Sequence, residues 1–367
     1  MEKARICCFL EQWESGGIES FLNAVLQNID LDSIEVDIVV SRLGESIFTD
    51  RLRAKGVNFI QLSGRTRSFK NYRMFKRLLK EKKYHTVHFN LFHSFALYYV
   101  RLARRAGVPV RLAHAHNTDL RKSPTKRLKL IINSISRKLW RGEMTHTLAC
   151  SDAAAQFIFG RPADEIVKNG IHPEKFLYSP EDRATVRNQL ELGDCAVFGN
   201  VGRLCWQKNQ EFLLSVHKKM LELLPDARLL LVGEGDILPR LRERAAELGI
   251  EKSVIFYGVS TDIPALMSAM DVFLFPSNME GLGIVAIEAQ ASGLPTLCSD
   301  RVPPEAFITD LAYSMPLELG AKKWAERGVE IYKNAEKRRA RYEEICAQGY
   351  DIRSTAAQMK KYFLLEK

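Results

Sequence analysis

The sequence has no uninterrupted apolar run of the roughly 18 residues that a membrane-spanning helix requires. The opening MEKARICCFL carries only a short apolar stretch, with neither a signal-peptide core nor a small-residue cleavage site behind it. It reads as a buried first strand, and the chain is expected to be cytoplasmic, on the inner face of any membrane it touches. There is no C-x-x-C pair among the seven cysteines, Cys7, Cys8, Cys150, Cys195, Cys205, Cys298 and Cys346. An odd, scattered set in apolar runs argues for small buried hydrophobes in a reducing compartment rather than a disulfide framework or a zinc site. No D-x-D stands at a strand end, so no metal site and no cofactor are expected. Low-complexity segments and sequence repeats are missing too.

What is present is a globular composition, 46% hydrophobic and 27% charged, over 367 residues, enough for two cores. Strand-like runs alternate with amphipathic helix-like runs, the pattern of parallel sheets covered on both faces. RICCFL, VDIVV, NFIQL, HTVHF, VPVRLAHA and HTLAC form one strand series. CAVFGNVG, ARLLLVG, SVIFYG, DVFLFP and LPTLCS form a second. Strand character fades around residues 170–190, where Gly170, Pro173 and Pro180 punctuate the chain, and the tail from about 320 onward reads as helices.

The net charge of +10 is unevenly placed. Residues 1–180 hold 30 Lys+Arg against 17 Asp+Glu, a net of +13, which leaves −3 for the rest. Two segments, YRMFKRLLKEKK and KRLKLIINSISRKLW, mix cations and apolar residues at helical spacing. They are candidates for an anionic membrane surface or an anionic acceptor. Nucleic acid is not expected, because the basic runs lack interleaved aromatic platforms.

Three places carry chemistry. Glycines at strand-to-helix turns leave backbone N–H groups open to anions, and both Gly16-Gly17 and Gly281-Leu282-Gly283 stand at such turns. Glu280 and Glu288 are eight residues apart, a little over two helical turns, across the second of these turns. That spacing suits recognition of diols over the length of a ligand rather than a shared proton. Arg203 and Lys208 follow the strand CAVFGNVG, where a planar fork and a point charge would suit a diphosphate at the C-terminal edge of a parallel sheet.

These stretches, together with SGGIES, VPVRLAHAHN, ACSD, NGIHPEKF, LVGEGD and FPSNMEGLGIVAIEAQASGLP, resemble the retaining sugar-nucleotide glycosyltransferases of family 4. The resemblance covers nearly the whole chain, and Glu280 to Glu288 fits the family's E-x7-E motif residue for residue. It implies the GT-B fold: two Rossmann-like α/β domains with a facing cleft, and C-terminal helices. Residues 1–175 would be the acceptor domain, 176–345 the donor domain, and 346–367 a helix packing back on the N-terminal domain.

The resemblance also assigns roles. Glu280 would contact sugar hydroxyls, Glu288 the ribose, and the backbone from Gly281 through Leu282 and Gly283 to Ile284 the phosphates or sugar. Arg203 and Lys208 would neutralise the departing diphosphate. Val259 and Ser260 would approach the base. A histidine after VPVRLAHAHN faces the donor sugar in the family; His116 is favoured, with His114 kept as a possible second polar group. His88, Asn90 and His93 in VHFNLFHS are weaker candidates for the acceptor side. The implied reaction is retaining, metal-independent transfer of a hexosyl group from a nucleotide sugar, with UDP expected, to an acceptor such as a lipid-linked saccharide in capsule or exopolysaccharide assembly. A sugar-nucleotide epimerase and a non-catalytic nucleotide-sugar binding protein are the alternatives.

Overall fold

The computed structural model describes residues 3–14, 16–65, 68–118 and 126–365. The chain forms two compact units, one of residues 1–170 and 349–367, the other of residues 171–348.

In the first unit seven parallel strands alternate with helices. The strands are β1 (Ala4–Trp13), β2 (Ile34–Leu43), β3 (Asn58–Gln61), β4 (Thr86–Leu91), β5 (Val110–Ala115), β6 (His146–Ala149) and β7 (Glu165–Ile166). The helices are α1 (Gly17–Asn28), α2 (Thr49–Ala54), α3 (Phe69–Lys82), α4 (Leu97–Arg105), α5 (Lys126–Trp140) and α6 (Asp152–Phe159). The spatial order is β3-β2-β1-β4-β5-β6-β7. The central strand β1 is apolar on both faces because helices cover both, and each face has its own core, to which β2 gives chiefly Ile34, Val36, Ile38 and Val40 on one side and β4 gives Val87, Phe89 and Leu91 on the other.

The second unit repeats the plan with six strands in the order β10-β9-β8-β11-β12-β13. Its strands are β8 (Val197–Val201), β9 (Arg228–Val232), β10 (Val254–Gly258), β11 (Val272–Phe275), β12 (Thr296–Ser299) and β13 (Ala312–Met315). Its helices are α7 (Pro180–Gln189), α8 (Gln210–Leu221), α9 (Leu238–Leu248), α10 (Ile263–Ala269), α11 (Ile284–Ala291), α12 (Gly320–Lys333) and α13 (Tyr342–Ala347). The last helix, α14 (Ile352–Phe363), belongs to the first unit.

Helix α14 buries Ile352, Ala356, Met359 and Phe363 in the core that holds β1, β2 and α1. Gly170 makes room for it: a Cβ there would meet the Ile352 backbone at 2.6 Å. Thr355 Oγ1 donates to Lys168 O at 3.0 Å, and Thr86 Oγ1 to Phe363 O at 2.8 Å, so both ends of the helix are tied to the sheet unit.

Two strands escaped the sequence reading. β7 and β13 are edge strands that pair with one neighbour each, so half-buried, partly polar residues serve there and no apolar run announces them. No described helix is long and apolar enough to cross a membrane.

Candidate active site

In an open parallel sheet the crevice for a ligand opens beyond the strand C-termini where the strand order reverses. In the second unit that point lies between β8 and β11, which pair with each other while the chain runs outward from them to β9 and to β12. The loops leaving β8 and β11 carry Arg203, Lys208 and Glu280.

The two loops are laced together by their backbones. Asn278 N donates to Gln207 O at 2.8 Å, and Asn278 Nδ2 to Trp206 O at 2.8 Å. Asn209, at the start of α8, donates from Nδ2 to Pro276 O at 3.1 Å. Beneath them Gln210 is fully buried; its Oε1 accepts from Cys205 N, and its Nε2 donates to Asn200 Oδ1 and Arg203 O. Sequence reasoning missed Asn200, Gln210 and Asn278. The available signal was an amide inside the apolar strand CAVFGNVG, which must find partners once buried.

The LVGEGD loop after β9 presses on the same place. Gly233 has φ +132°, and a Cβ on it would meet Gly202 O at 2.2 Å; a Cβ on Gly235 would meet Leu204 O at 2.0 Å. Glycine is required at both, because the backbones of the loops after β8 and β9 lie in contact, with Leu204 N donating to Glu234 O at 2.8 Å.

Lys208 and Glu280, far apart in sequence, form an ion pair at 2.8 Å, both largely buried. The ammonium also lies over the Phe275 ring, 4.7 Å from its centroid. Arg203 is exposed and has no carboxylate partner among the described residues. Gly283, at the entry to α11, has φ +83°, and its missing Cβ would crowd Phe275 at 2.9 Å. Leu282 is buried and Gly281 and Ile284 are partly exposed beside it. Glu288 lies on α11, where burial pushes its carboxyl up to about 7, opposed by the Lys208 charge. Val259 and Ser260 follow β10 at the sheet edge; Val259 is exposed, and Ser260 Oγ accepts from Asp262 N.

In the first unit the strand order reverses between β1 and β4. Here the structure revises several expectations. The chain's own Glu19 lies at the Gly16-Gly17 turn, its Oε1 accepting from Glu14 N at 3.1 Å. A Cβ on Gly16 would meet Glu19 Oε2 at 2.6 Å, so the carboxylate lies against the turn. The buried Glu19 thus sets a carboxyl of the chain's own beside the turn assigned to a ligand, and burial raises its pKa.

His88 and His114 are core residues rather than lining groups. Both are fully buried, His88 Nε2 meets His114 Nδ1 at 3.1 Å, and the His88 ring packs on Phe363. They share one sheet face because both stand at even positions of adjacent, in-register strands, with His114 beside Phe21 of α1. Desolvation holds both neutral, His88 down to about 3 and His114 well below the usual range. His93 is also buried, its Nε2 3.1 Å from Glu11 Oε2 and its ring stacked on Phe95.

His116 follows β5 and keeps part of its surface open, packed against His114 and Phe21. Burial first, then the His88 charge, push it down to about 3, so it is neutral at physiological pH. Its Nε2 lies 2.9 Å from Asn90 Oδ1. The Asn90 amide is oriented by its own Nδ2, which donates to His88 O at 3.4 Å. Oδ1 therefore accepts from His116 Nε2–H, which leaves Nδ1 as the acceptor. Asn90→Asp is expected to raise the proton affinity of His116 and move the acidic limb of the kcat–pH profile to higher pH; a profile superimposable on the wild type's would show that Asn90 does not set this histidine's state.

Comparisons with known proteins bear on the family and the fold. Residues 15–175 match the profile of Glycosyltransferase Family 4, and residues 182–345 that of Glycosyl transferases group 1. EpsF of Bacillus subtilis (strain 168), whose name describes it as a glycosyltransferase, is 28% identical over 97% of this chain and 95% of its own. The GDP-mannose-dependent alpha-(1-6)-phosphatidylinositol monomannoside mannosyltransferase of Mycobacterium tuberculosis (strain ATCC 25618 / H37Rv) is 30% identical over 78% of this chain and 77% of its own. Among solved structures, Anabaena HepE in complex with UDP and glucose superposes with a TM-score of 0.78 at 18% identity, covering 98% of both chains. With its two Rossmann-like sheets of the GT-B kind and family matches spanning both units, the chain belongs to the family 4 glycosyltransferases.

Proposed function

We propose that the chain transfers a hexosyl group, with retention and without a metal, from a nucleotide diphosphate sugar to a hydroxyl of a lipid-linked saccharide in glycan assembly. The observation that carries this reading is the Lys208–Glu280 pair at the β8/β11 switch point, with Arg203 on the same loop as Lys208 and Glu288 on α11. It sets two cations and two carboxylates on the elements that border the place where such sheets bind ligands.

In the reaction the bond from the anomeric carbon to the diphosphate oxygen breaks, and the electron pair leaves with the diphosphate. Arg203 and Lys208 stabilise the charge gathering on those oxygens. The acceptor oxygen bonds the anomeric carbon on the face the diphosphate leaves, and its proton passes to a departing phosphate oxygen. No nucleophilic side chain is required. Glu280 accepts hydrogen bonds from sugar hydroxyls, Glu288 from the ribose, and His116 offers Nδ1 to a further hydroxyl.

The relatives support the substrate class but differ in the base: the mycobacterial enzyme's name specifies GDP-mannose and a phosphatidylinositol mannoside, whereas HepE was crystallised with UDP and glucose. UDP is the donor base proposed here. The test is release of nucleoside diphosphate from a panel of UDP- and GDP-sugars, with and without bacterial lipid extract, and with and without a chelator. Release from a UDP-sugar, stimulated by extract and unchanged by chelator, is expected. Loss of turnover in chelator, restored by a divalent cation, would refute the metal-free mechanism; a changed sugar in the absence of acceptor would identify an epimerase.

A further inference from the structure

Helix α5 is amphipathic in the reverse sense to a helix that closes a water-soluble core. Its inward side is polar apart from Trp140 at its C-terminal end, which packs on Tyr98 and the neighbouring core. Asn133 and Ser136 are buried; Asn133 Oδ1 accepts from Ser94 N at 2.6 Å, and its Nδ2 donates to Phe157 O at 3.1 Å. Arg137 donates to Gln156 O and to Ser134 Oγ. These bonds anchor the helix by its hydrophilic face.

Its outward side is aliphatic. Leu128, Ile131, Ile132, Ile135 and Leu139 recur at i, i+3, i+4, i+7 and i+11, which places them in one stripe. All five are exposed, and Leu128, Ile131, Ile135 and Leu139 are each more than half exposed. At 100° per residue, Arg127 and Lys138 border this stripe on one edge and Lys129 on the other. A contiguous apolar stripe of this kind marks a contact surface.

We propose that α5 lies in the plane of an anionic lipid bilayer, with its aliphatic stripe in the acyl boundary and its bordering cations among the headgroups. Charge complementarity selects lipid over a second copy of the chain. Two stripes pressed together would align like-charged borders, whereas anionic headgroups neutralise both edges while the long cationic side chains reach up to them. The stripe is made of leucine and isoleucine alone, without the polar or aromatic anchors typical of the centre of a specific protein interface. This goes beyond attraction by the basic half of the sequence: insertion is not screened by salt, so binding should be only partly salt-sensitive.

The test uses the full chain with two kinds of vesicle, phosphatidylcholine alone and phosphatidylcholine with phosphatidylglycerol, at low and high salt. Wild type is expected to bind the anionic vesicles and to keep part of that binding at high salt. The triple variant Leu128→Ser, Ile131→Ser, Ile135→Ser should bind about tenfold or more weakly at both salt concentrations. Its thermal unfolding and nucleotide-sugar binding should match wild type. If the triple variant fails to fold, the single variant Ile131→Ser, which removes apolar surface without adding charge, carries the same comparison. Wild type that ignores anionic vesicles, or a folded variant that binds them as wild type does, overturns the proposal. A wild-type dimer that the variant converts to monomer, without vesicle binding, assigns the stripe to a second copy instead.

Discussion

Lys208→Ala is expected to lower kcat about 10²- to 10³-fold, the usual cost of removing one fixed group that stabilises charge on a leaving oxygen. The same substitution strips Glu280 of its partner in a largely buried place, which costs on the order of 3–5 kcal/mol of stability when a buried pair is halved. The two effects separate in the double variant Lys208→Ala, Glu280→Gln. Removing both charges should restore much of the thermal stability, because no lone charge is left buried, while turnover stays low. If the double variant regains turnover along with stability, Lys208 acts only by holding Glu280 in place. Arg203, exposed and outside the pair, provides the cleaner comparison: Arg203→Ala should reduce kcat with little change in unfolding temperature.

Glu288→Gln is expected to weaken nucleotide-sugar binding about tenfold or more, since hydrogen bonds to a charged group contribute roughly 1.5–3 kcal/mol. The pH dependence gives the sharper result. Burial raises this carboxyl from its ordinary 4.5 to about 7 in the folded protein. Below pH 7 the folded chain holds a proton there, and the protonated group is a poorer acceptor for two ribose hydroxyls. Donor affinity should therefore rise as pH increases through about 7, and Glu288→Gln should abolish that rise.

The linked effect on stability has the opposite sign. Between pH 4.5 and 7 the folded state retains a proton that the unfolded state has released, so this group's contribution to the ligand-free protein declines as pH rises through that window. Titration calorimetry with a nucleotide sugar, which lacks a terminal phosphate monoester ionising in this range, reads the donor effect directly. A wild-type affinity that is flat across the window would show that Glu288 is not the group that meets the ribose.

The alternation of strands and helices was legible because parallel sheets need covered, apolar strands, and the E-x7-E stretch was legible because it is contiguous. What the sequence did not reveal depends on distant pairing. Lys208 meets Glu280 only because β8 and β11 are neighbours in space, and Gln210 supports the loop only because Asn200 lies beneath it. His88 and His114 have the residue type of site groups, yet their strand positions turn them into the core, where one ring nitrogen of each meets the other. Gly16-Gly17 has the form of a phosphate turn, but Glu19, three residues on, reaches back into it. The segment KRLKLIINSISRKLW showed helical periodicity without showing which face turns inward. That depended on Asn133 finding the backbone at Ser94 and Phe157.

On the proposed function, the switch point of the second unit binds a nucleotide sugar through Arg203, Lys208 and Glu288. The most direct test is calorimetric titration of the full chain with a panel of UDP- and GDP-sugars, repeated with Glu288→Gln. Saturable binding of a UDP-sugar, weakened about tenfold or more by that substitution, is the expected result. No binding by any nucleotide sugar, or equal binding by wild type and Glu288→Gln, would contradict it.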